Sequence, residues 1–489
     1  MILVVPPNHT SRFAFPQQGI VSLASALKRK KLKVSVTDCQ LHRDFLKPLL
    51  KAVAEDDDIG FYTTTYSYPF VKGAAAAIKK FNPRARIILG GPHASHLPEK
   101  LVEDFADIVV AGEGEKILPR ILAGEALEYV PSVSYKNGNG EVMENPRAGL
   151  LEDLDSLPFP AWELLDYKKF SFSHYRRLPL VSMVTSRGCE FRCIYCASSA
   201  VHGHETRMRG IESVVGEIEL DVEKYGVREL HIVDDDFTCD VERVKEICRA
   251  IISRGLNKKI LLAKPNAIRP DRGDREMFDL MKMAGFYFTA IAVESADPEV
   301  AKKLGRNTDS GRHYETIAMA RKAGLFINTF FLMGSPFDTR ETMMKNIKLA
   351  CSIPTDIVSF FMMKPYPGTP LFSHLVKTGK IEDRNHCGIP SCNDGKSFYS
   401  ANDWNEEDLI RLVMFGYKKY YLNPYRFVRL LLRLPLFISN PIILMKLFFN
   451  LLFGGSPASD SRRQRRDIDL RVSSLILQPE PPRRLSTEE

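Results

Sequence analysis

The sequence predicts an α/β chain. A doubly wound, Rossmann-like parallel sheet comes first, then a partial (β/α)6 barrel of the TIM type, then a helical carboxyl-terminal region. Two stretches of alternating short apolar runs and longer amphipathic segments predict this, separated by less regular sequence from about 125 to 175. A third observation locates the ligand-binding edge: glycine-rich turns in the first stretch and a cysteine cluster in the second both fall directly after predicted strands. Ligands of open parallel sheets and of (β/α) barrels gather beyond the carboxyl ends of the strands.

In the first stretch, Ile2–Val5 is an apolar strand ending in Pro6-Pro7, 19–30 is helical, and 33–37 is a strand ending at Asp38. A strand over 58–63 is followed by a helix over 69–81. The strand 86–89 runs into Gly90-Gly91-Pro92-His93, and 107–110 runs into Gly112-Glu113-Gly114-Glu115. Glycines at that edge suit a close approach of backbone to a ligand. Lys136-Asn137-Gly138-Asn139-Gly140 reads as a hairpin turn within a connection between domains. The alternation restarts with strands over 180–185, 229–233, 259–264, 288–293, 326–331 and 356–361, and helices such as 240–253 and 309–323 lie between them. The expected divisions are 1–135, a linker 136–174, a barrel 175–375, a helical region 376–455 and a disordered tail 456–489, polar and rich in Arg and Pro.

A chain of 489 residues exceeds one ordinary core. Hydrophobic residues at 44% and charged residues at 26% match a globular protein. The start MILVVPPNHT lacks a basic segment ahead of a long apolar one, so a cytoplasmic protein is expected. Nine cysteines, an odd number over this length, suit a reducing compartment better than a disulfide framework. The net charge of +8 is concentrated in the tail (Arg462, Arg463, Arg465, Arg466, Arg483, Arg484) and in Lys28–Lys31, where cations suit a helix end. No aromatic-interleaved basic platform is present, so nucleic acid is not an expected partner.

The strongest chemical signal is Ser186-Arg187-Gly188-Cys189-Glu190-Phe191-Arg192-Cys193-Ile194-Tyr195-Cys196, directly after the first barrel strand. Three thiols within eight residues on a loop can converge on one metal centre, and thiolates favour zinc or iron–sulfur clusters. A structural zinc needs a fourth ligand. Cys189, Cys193 and Cys196 alone would leave one iron of a cubane open to a substrate.

This C-x3-C-x2-C arrangement resembles the signature of the radical S-adenosylmethionine (SAM) superfamily, and the likeness extends over about 175–375. The resemblance implies that the open iron of a [4Fe-4S] cluster chelates SAM. It implies contacts to the SAM methionyl group from Asp234, Asp235 and Asp236, where many members have Gly-Gly-Glu. Those acids also suit the cap of the following helix. It further implies a ribose contact from Glu294-Ser295, an adenine-side segment at Gly334, and Tyr195 on adenine or in the core. Lys364–Pro370 closes the sixth strand.

Joined to such a barrel, the amino-terminal sheet resembles the cobalamin-binding domain that precedes many radical SAM barrels, with Gly90, Gly91, Gly112, Glu113 and Gly114 at its binding edge. The Asp-x-His-x-x-Gly signature is absent, and His9 has no Asp two places before it, so no protein histidine is expected on the lower face of cobalamin. The resemblance implies a methyltransferase acting on an unactivated carbon, served by a flavodoxin- or ferredoxin-type reductant, with a catalytic protein residue unassigned. A second member of this layout, the anaerobic magnesium-protoporphyrin ester cyclase, implies oxidative ring closure on a tetrapyrrole instead. Methylthiotransferases carry further cysteines in front, where residues 1–175 hold only Cys39. A cluster-bearing sensor without SAM chemistry is a non-enzymatic rival.

His93 and His96 beside the glycine turn suit contacts better than metal ligation, and His386, Cys387 and Cys392 are too few for a second cluster. Cys39, Cys239, Cys248 and Cys351 read as ordinary buried thiols. The apolar stretch 425–454 is interrupted by Arg429, Arg433, Pro435, Pro441 and Lys446, too often for a membrane span. It suits either a helical cap or peripheral membrane contact, which tilts the small-molecule substrate towards a lipid, isoprenoid or tetrapyrrole.

Overall fold

The computed structural model describes residues 1–7, 15–41, 49–50, 53, 56–170, 176–306, 310–382 and 399–433. Outside them lie His9, His386, Cys387, Cys392, the tail from 456 and most of the apolar stretch 425–454.

The first sheet has the order β2-β1-β3-β4-β5-β6-β7. Its strands are β1 (Ile2–Val5), β2 (Ser35–Asp38), β3 (Asp58–Tyr62), β4 (Arg86–Gly90), β5 (Ile108–Val110), β6 (Val133–Lys136) and β7 (Val142–Glu144). The first five are parallel, as expected, and Ile2–Val5 is buried throughout because helices cover both faces. Two of these helices are α1 (Gln18–Arg29) and α2 (Tyr68–Phe81). The structure departs from the expected division at β6 and β7, which lie in the stretch expected to connect the domains. The Asn137–Gly140 turn is a hairpin, and its two antiparallel strands extend the sheet beyond 135 to Glu144. Burial of Val133 and Ser134 against β5 decides this, and two strands in sequence are too short to show such a pairing.

The second sheet is six parallel strands in chain order: β8 (Leu180–Met183), β11 (Glu229–Ile232), β12 (Leu261–Ile268), β13 (Phe286–Glu294), β14 (Phe326–Met333) and β15 (Ile357–Met362). A small ribbon of β9 (Ser186–Arg187) and β10 (Arg207–Met208) stands at the end of β8. All nine residues of β13 are buried, the mark of a central barrel strand. The helix after β11, α3 (Val241–Ser253), is capped by Asp240, which accepts the Arg243 N–H. The three acids 234–236 are therefore not its cap.

A six-stranded arc leaves two edges, and both are covered. At β8 sits α1 of the first sheet: Val21 joins the barrel core, Ser25 Oγ accepts the Ala161 N–H at 2.7 Å, and Ser182 Oγ donates to the Pro16 carbonyl at 2.9 Å. At β15 lies α4 (Glu406–Tyr421). Its Tyr417 hydroxyl accepts the Phe360 N–H at 3.0 Å and its Tyr421 hydroxyl accepts the Val358 N–H at 3.1 Å. Tyrosine hydroxyls thus stand in for a seventh strand. Tyr421→Phe would strand the Val358 N–H and is expected to cost about 2 kcal/mol, read by urea unfolding.

The final described helix, α5 (Pro424–Arg433), docks by its arginines. Arg426, Arg429 and Arg433 donate to carbonyls of Ile353, Thr355 and Leu325 at the foot of the barrel. Tyr425, Val428 and Leu432 point outward. No helix among the described residues is long and apolar enough to cross a membrane.

Candidate functional site

The carboxyl ends of the two sheets face each other across a cavity of about 660 Å³. Tyr62, Gly91, Gly112 and Gly114 line one side, and Arg187, Val201, His202, Asp235 and Asn266 line the other. The segment Leu157–Pro160 forms an apolar wall. A narrow recess of about 60 Å³, sharing Gly91, Gly112 and Gly114 with the cavity, runs into the first sheet past Gly60 and Leu118. Gly91 is indispensable to this edge. It has φ +96°, and a Cβ there would lie 2.9 Å from the Thr63 carbonyl oxygen.

The cysteine loop leaves the ribbon at Gly188 (φ +87°). Cys189 and Cys193 are half-buried, Cys196 is exposed, and all three thiols are free. Burial pushes the Cys189 thiol up to about 12, so a metal centre must displace its proton on binding. The loop is held on every side. Ile194 N–H donates to the Leu304 carbonyl at 3.2 Å, and its own carbonyl accepts the Leu371 N–H at 2.9 Å. The Arg269 guanidinium lies 3.5 Å from the centre of the Phe191 ring. Arg306 Nη1 stands 4.0 Å from the Cys193 sulfur, a cation beside the thiols.

The acids after β11 have three different jobs. Asp234 is fully engaged, accepting from Thr185 N–H (2.7 Å), Thr185 Oγ1 (2.6 Å) and Ser186 Oγ (2.7 Å), and so ties down the root of the loop. Asp235 pairs with His202 Nδ1 at 2.9 Å and is also bonded by Ser198 and the Gly188 backbone. Burial opposes its charge, but these bonds outweigh it and hold the carboxyl below its ordinary range. Asp236 accepts from Thr238 through one oxygen; the other is buried and unpartnered, and burial raises its carboxyl. Lys264, completely buried, donates to the Asp234 carbonyl at 3.0 Å, and burial lowers its ammonium to about 8.

Glu294 ends β13 at a register shift and has φ +64°, a strained conformation that turns it into the barrel mouth. It accepts from the Tyr195 hydroxyl at 3.3 Å, and burial raises its carboxyl against the pull of Arg306. Ser295 is not brought to the site: its hydroxyl donates to the Asp297 carbonyl and accepts the Asp297 N–H. Gly334 (φ +77°) gives α4 room, since a Cβ would sit 2.6 Å from Leu409 Cδ2.

Glu113 is spoken for as well. It takes Arg187 at 3.0 Å, Arg207 at 2.9 Å and the Leu151 N–H at 2.8 Å, while Glu115 takes Arg187 at 2.6 Å. Burial would raise the Glu113 carboxyl, and the two arginines reverse that; burial would lower Arg187, and its two glutamates reverse it. His93 Nδ1 lies 3.1 Å from Thr65 Oγ1, and His96 Nε2 lies 3.2 Å from the Ala197 carbonyl oxygen just past the last cysteine. Burial lowers the His96 imidazole below its ordinary range. No three His, Cys, Asp or Glu side chains among the described residues are grouped for a single ion.

Comparison with known proteins identifies the two halves. Residues 183–350 match the model of the Radical SAM superfamily, and residues 7–122 match the B12 binding domain. The chain is a B12-binding radical SAM enzyme. It is 27% identical to an uncharacterized methyltransferase of Pyrococcus horikoshii, over 87% of this chain and 93% of the relative. It is 24% identical to the anaerobic magnesium-protoporphyrin IX monomethyl ester cyclase of Cereibacter sphaeroides, over 86% and 70%. Among solved structures, the cobalamin-dependent S-adenosylmethionine radical enzyme OxsB with aqua-cobalamin and S-adenosylmethionine bound has the same fold (TM-score 0.70, 19% identity, covering 97% of this chain and 75% of that one).

The radical SAM enzyme's cofactors are a [4Fe-4S] cluster, SAM and cobalamin, and its residues fit them. Three free loop thiols suit a cluster. Asp236 Oδ2, Arg269 Nη1 and Arg306 Nε are buried and unpartnered, a donor and acceptor set for the amino-acid end of SAM. Gln18 Oε1, an unpartnered acceptor of a cavity residue, suits the amide N–H groups that rim a corrin. No local pattern in the sequence marks Arg269, Arg306, Lys264 or His202.

Proposed function

We propose that this enzyme methylates an unactivated carbon of a small-molecule substrate held between its two sheets. The observation that carries this reading is the shared cavity: the glycine edge of the B12 sheet and the root of the cysteine loop line the same space. When bound, the cluster and SAM supply a 5′-deoxyadenosyl radical and cobalamin supplies a transferable methyl group.

The chain's share is binding, orientation and exclusion of water. Cys189, Cys193 and Cys196 hold the cluster. Asp236 receives the SAM ammonium, and Arg269 and Arg306 receive its carboxylate. Tyr195 and Glu294 face the nucleoside, and Gly334 lets the barrel wall close behind it. Gly90, Gly91, Gly112 and Gly114 let a flat macrocycle approach the backbone. Asp234, Asp235 and Glu113 act on the loop instead of on SAM or cobalamin. The outward stripe Tyr425, Val428 and Leu432 supports peripheral contact with a membrane and a lipid or isoprenoid substrate. A flavodoxin- or ferredoxin-type protein serves as reductant.

The test is anaerobic purification with cobalamin supplied, metal analysis, and incubation with dithionite and methyl-deuterated SAM against lipid and tetrapyrrole fractions. Stoichiometric iron and cobalt, 5′-deoxyadenosine and a deuteromethylated product are expected. Iron without cobalt would remove methyl transfer. The likeness to the ester cyclase over 86% of the chain favours one second reading, ring closure on a tetrapyrrole, whose product would carry no deuterium.

A further inference from the structure

Arg187 is the residue before Gly188, which precedes the first cysteine, and it stands between the two sheets. Every residue from 185 to 188 is fixed by a carboxylate. Thr185 and Ser186 are bound by Asp234 and Gly188 by Asp235, all within the barrel half. Arg187 alone of the four is held by the other half, through Glu113 at 3.0 Å and Glu115 at 2.6 Å. Arg207, opposite Arg187 in the β9–β10 ribbon, adds a second guanidinium on Glu113 at 2.9 Å.

The side chains of Arg187, Glu113, Glu115 and Arg207 are 11%, 9%, 7% and 5% exposed. Burying four charges brings a desolvation cost that apolar packing would avoid, so stability by itself is a poor account of them. What two guanidinium forks and two carboxylates supply is geometry, since a fork fixes direction as well as distance. Both carboxylates belong to the turn Gly112–Glu115, the turn whose glycines line the cavity. The same four residues therefore grip the root of the cysteine loop and present the B12 edge.

We infer that the Arg187–Glu113–Glu115 pairing is a positioning device that sets the separation between the cluster loop and the cobalamin edge. The inference rests on the proposed function, which puts one cofactor on each. Arg187 is a positioning residue, acting through the loop and the turn.

The experiment uses the full chain reconstituted anaerobically with iron, sulfide and cobalamin. Glu115→Gln keeps the shape of the side chain and removes its charge; Arg187→Lys keeps the charge and loses the fork. Iron and cobalt per chain are measured, and pulsed electron paramagnetic resonance reads the distance distribution between the reduced cluster and cob(II)alamin. Both variants are expected to load both metals as the wild type does. Glu115→Gln should broaden or shift the wild-type distance distribution, and Arg187→Lys should fall between the two. An unchanged narrow distribution in both fully loaded variants overturns the inference and leaves the functional reading standing. If one variant loses its iron, the other decides by the same distribution. A wild type that loads its cluster but no cobalamin overturns the reading and the inference together.

Discussion

Cys193→Ala is expected to lower SAM cleavage by more than about 100-fold, beyond the range that loss of a supporting residue around a metal site produces. Cys193 is the middle thiol of the loop, with Gly305 and Arg306 against its sulfur. Two remaining thiolates cannot hold a four-iron cubane in the proposed site, so iron per chain should fall with activity. The fold should survive, because Cys193 is half-buried on a loop and lies outside every core cluster. Cys351→Ala serves as control: a half-buried thiol on a helix of the barrel's outer layer, remote from the loop, whose loss should leave iron content and 5′-deoxyadenosine formation at wild-type values. Iron analysis and product chromatography on the two variants separate the outcomes. Full iron in Cys193→Ala would remove the three-thiol cluster reading.

The parts of this site legible in sequence were those whose signal is local. Cys189, Cys193 and Cys196 share one loop, and the glycine turns 90–91 and 112–114 each end a strand that periodicity reveals. The roles of Asp234, Asp235 and Glu113 were not legible, because a carboxylate reads the same whether it faces a ligand or a neighbouring chain segment. Glu113 meets Arg187 across 74 positions and Arg207 across 94, and no local pattern marks such a pairing. Arg269 and Arg306 were missed for a similar reason: each stands in a loop after a strand or helix, and only the folded barrel brings them to Phe191 and Cys193. Sheet order in the barrel followed from regular βα alternation. The hairpin β6–β7 did not, since an antiparallel addition to a parallel sheet depends on what edge β5 leaves open.

Gly188→Ala is expected to abolish cluster binding with a single methyl group. Gly188 has φ +87°, and a Cβ built there would lie 2.1 Å from the Glu205 carbonyl oxygen and 3.1 Å from that of His202. Both obstacles are backbone, so no side-chain rotation can relieve them. Strain at a positive φ costs about 1–3 kcal/mol by itself, and the clash adds a displacement of either the ribbon partner or the loop. A shift of the loop would carry the first cysteine with it, since Cys189 follows one residue later. A comparison with Gly226→Ala isolates the steric part. Gly226 has φ +66° but nothing within 4 Å of its would-be Cβ, so that variant should pay only the conformational strain and bind iron fully. Urea unfolding and iron content of the two variants, reconstituted side by side, give the answer. Gly188→Ala should be the less stable and should lose most of its iron. Equal stability with equal, full iron would mean that the loop accommodates the methyl group elsewhere, and that its root is looser than the four carboxylate contacts around it imply.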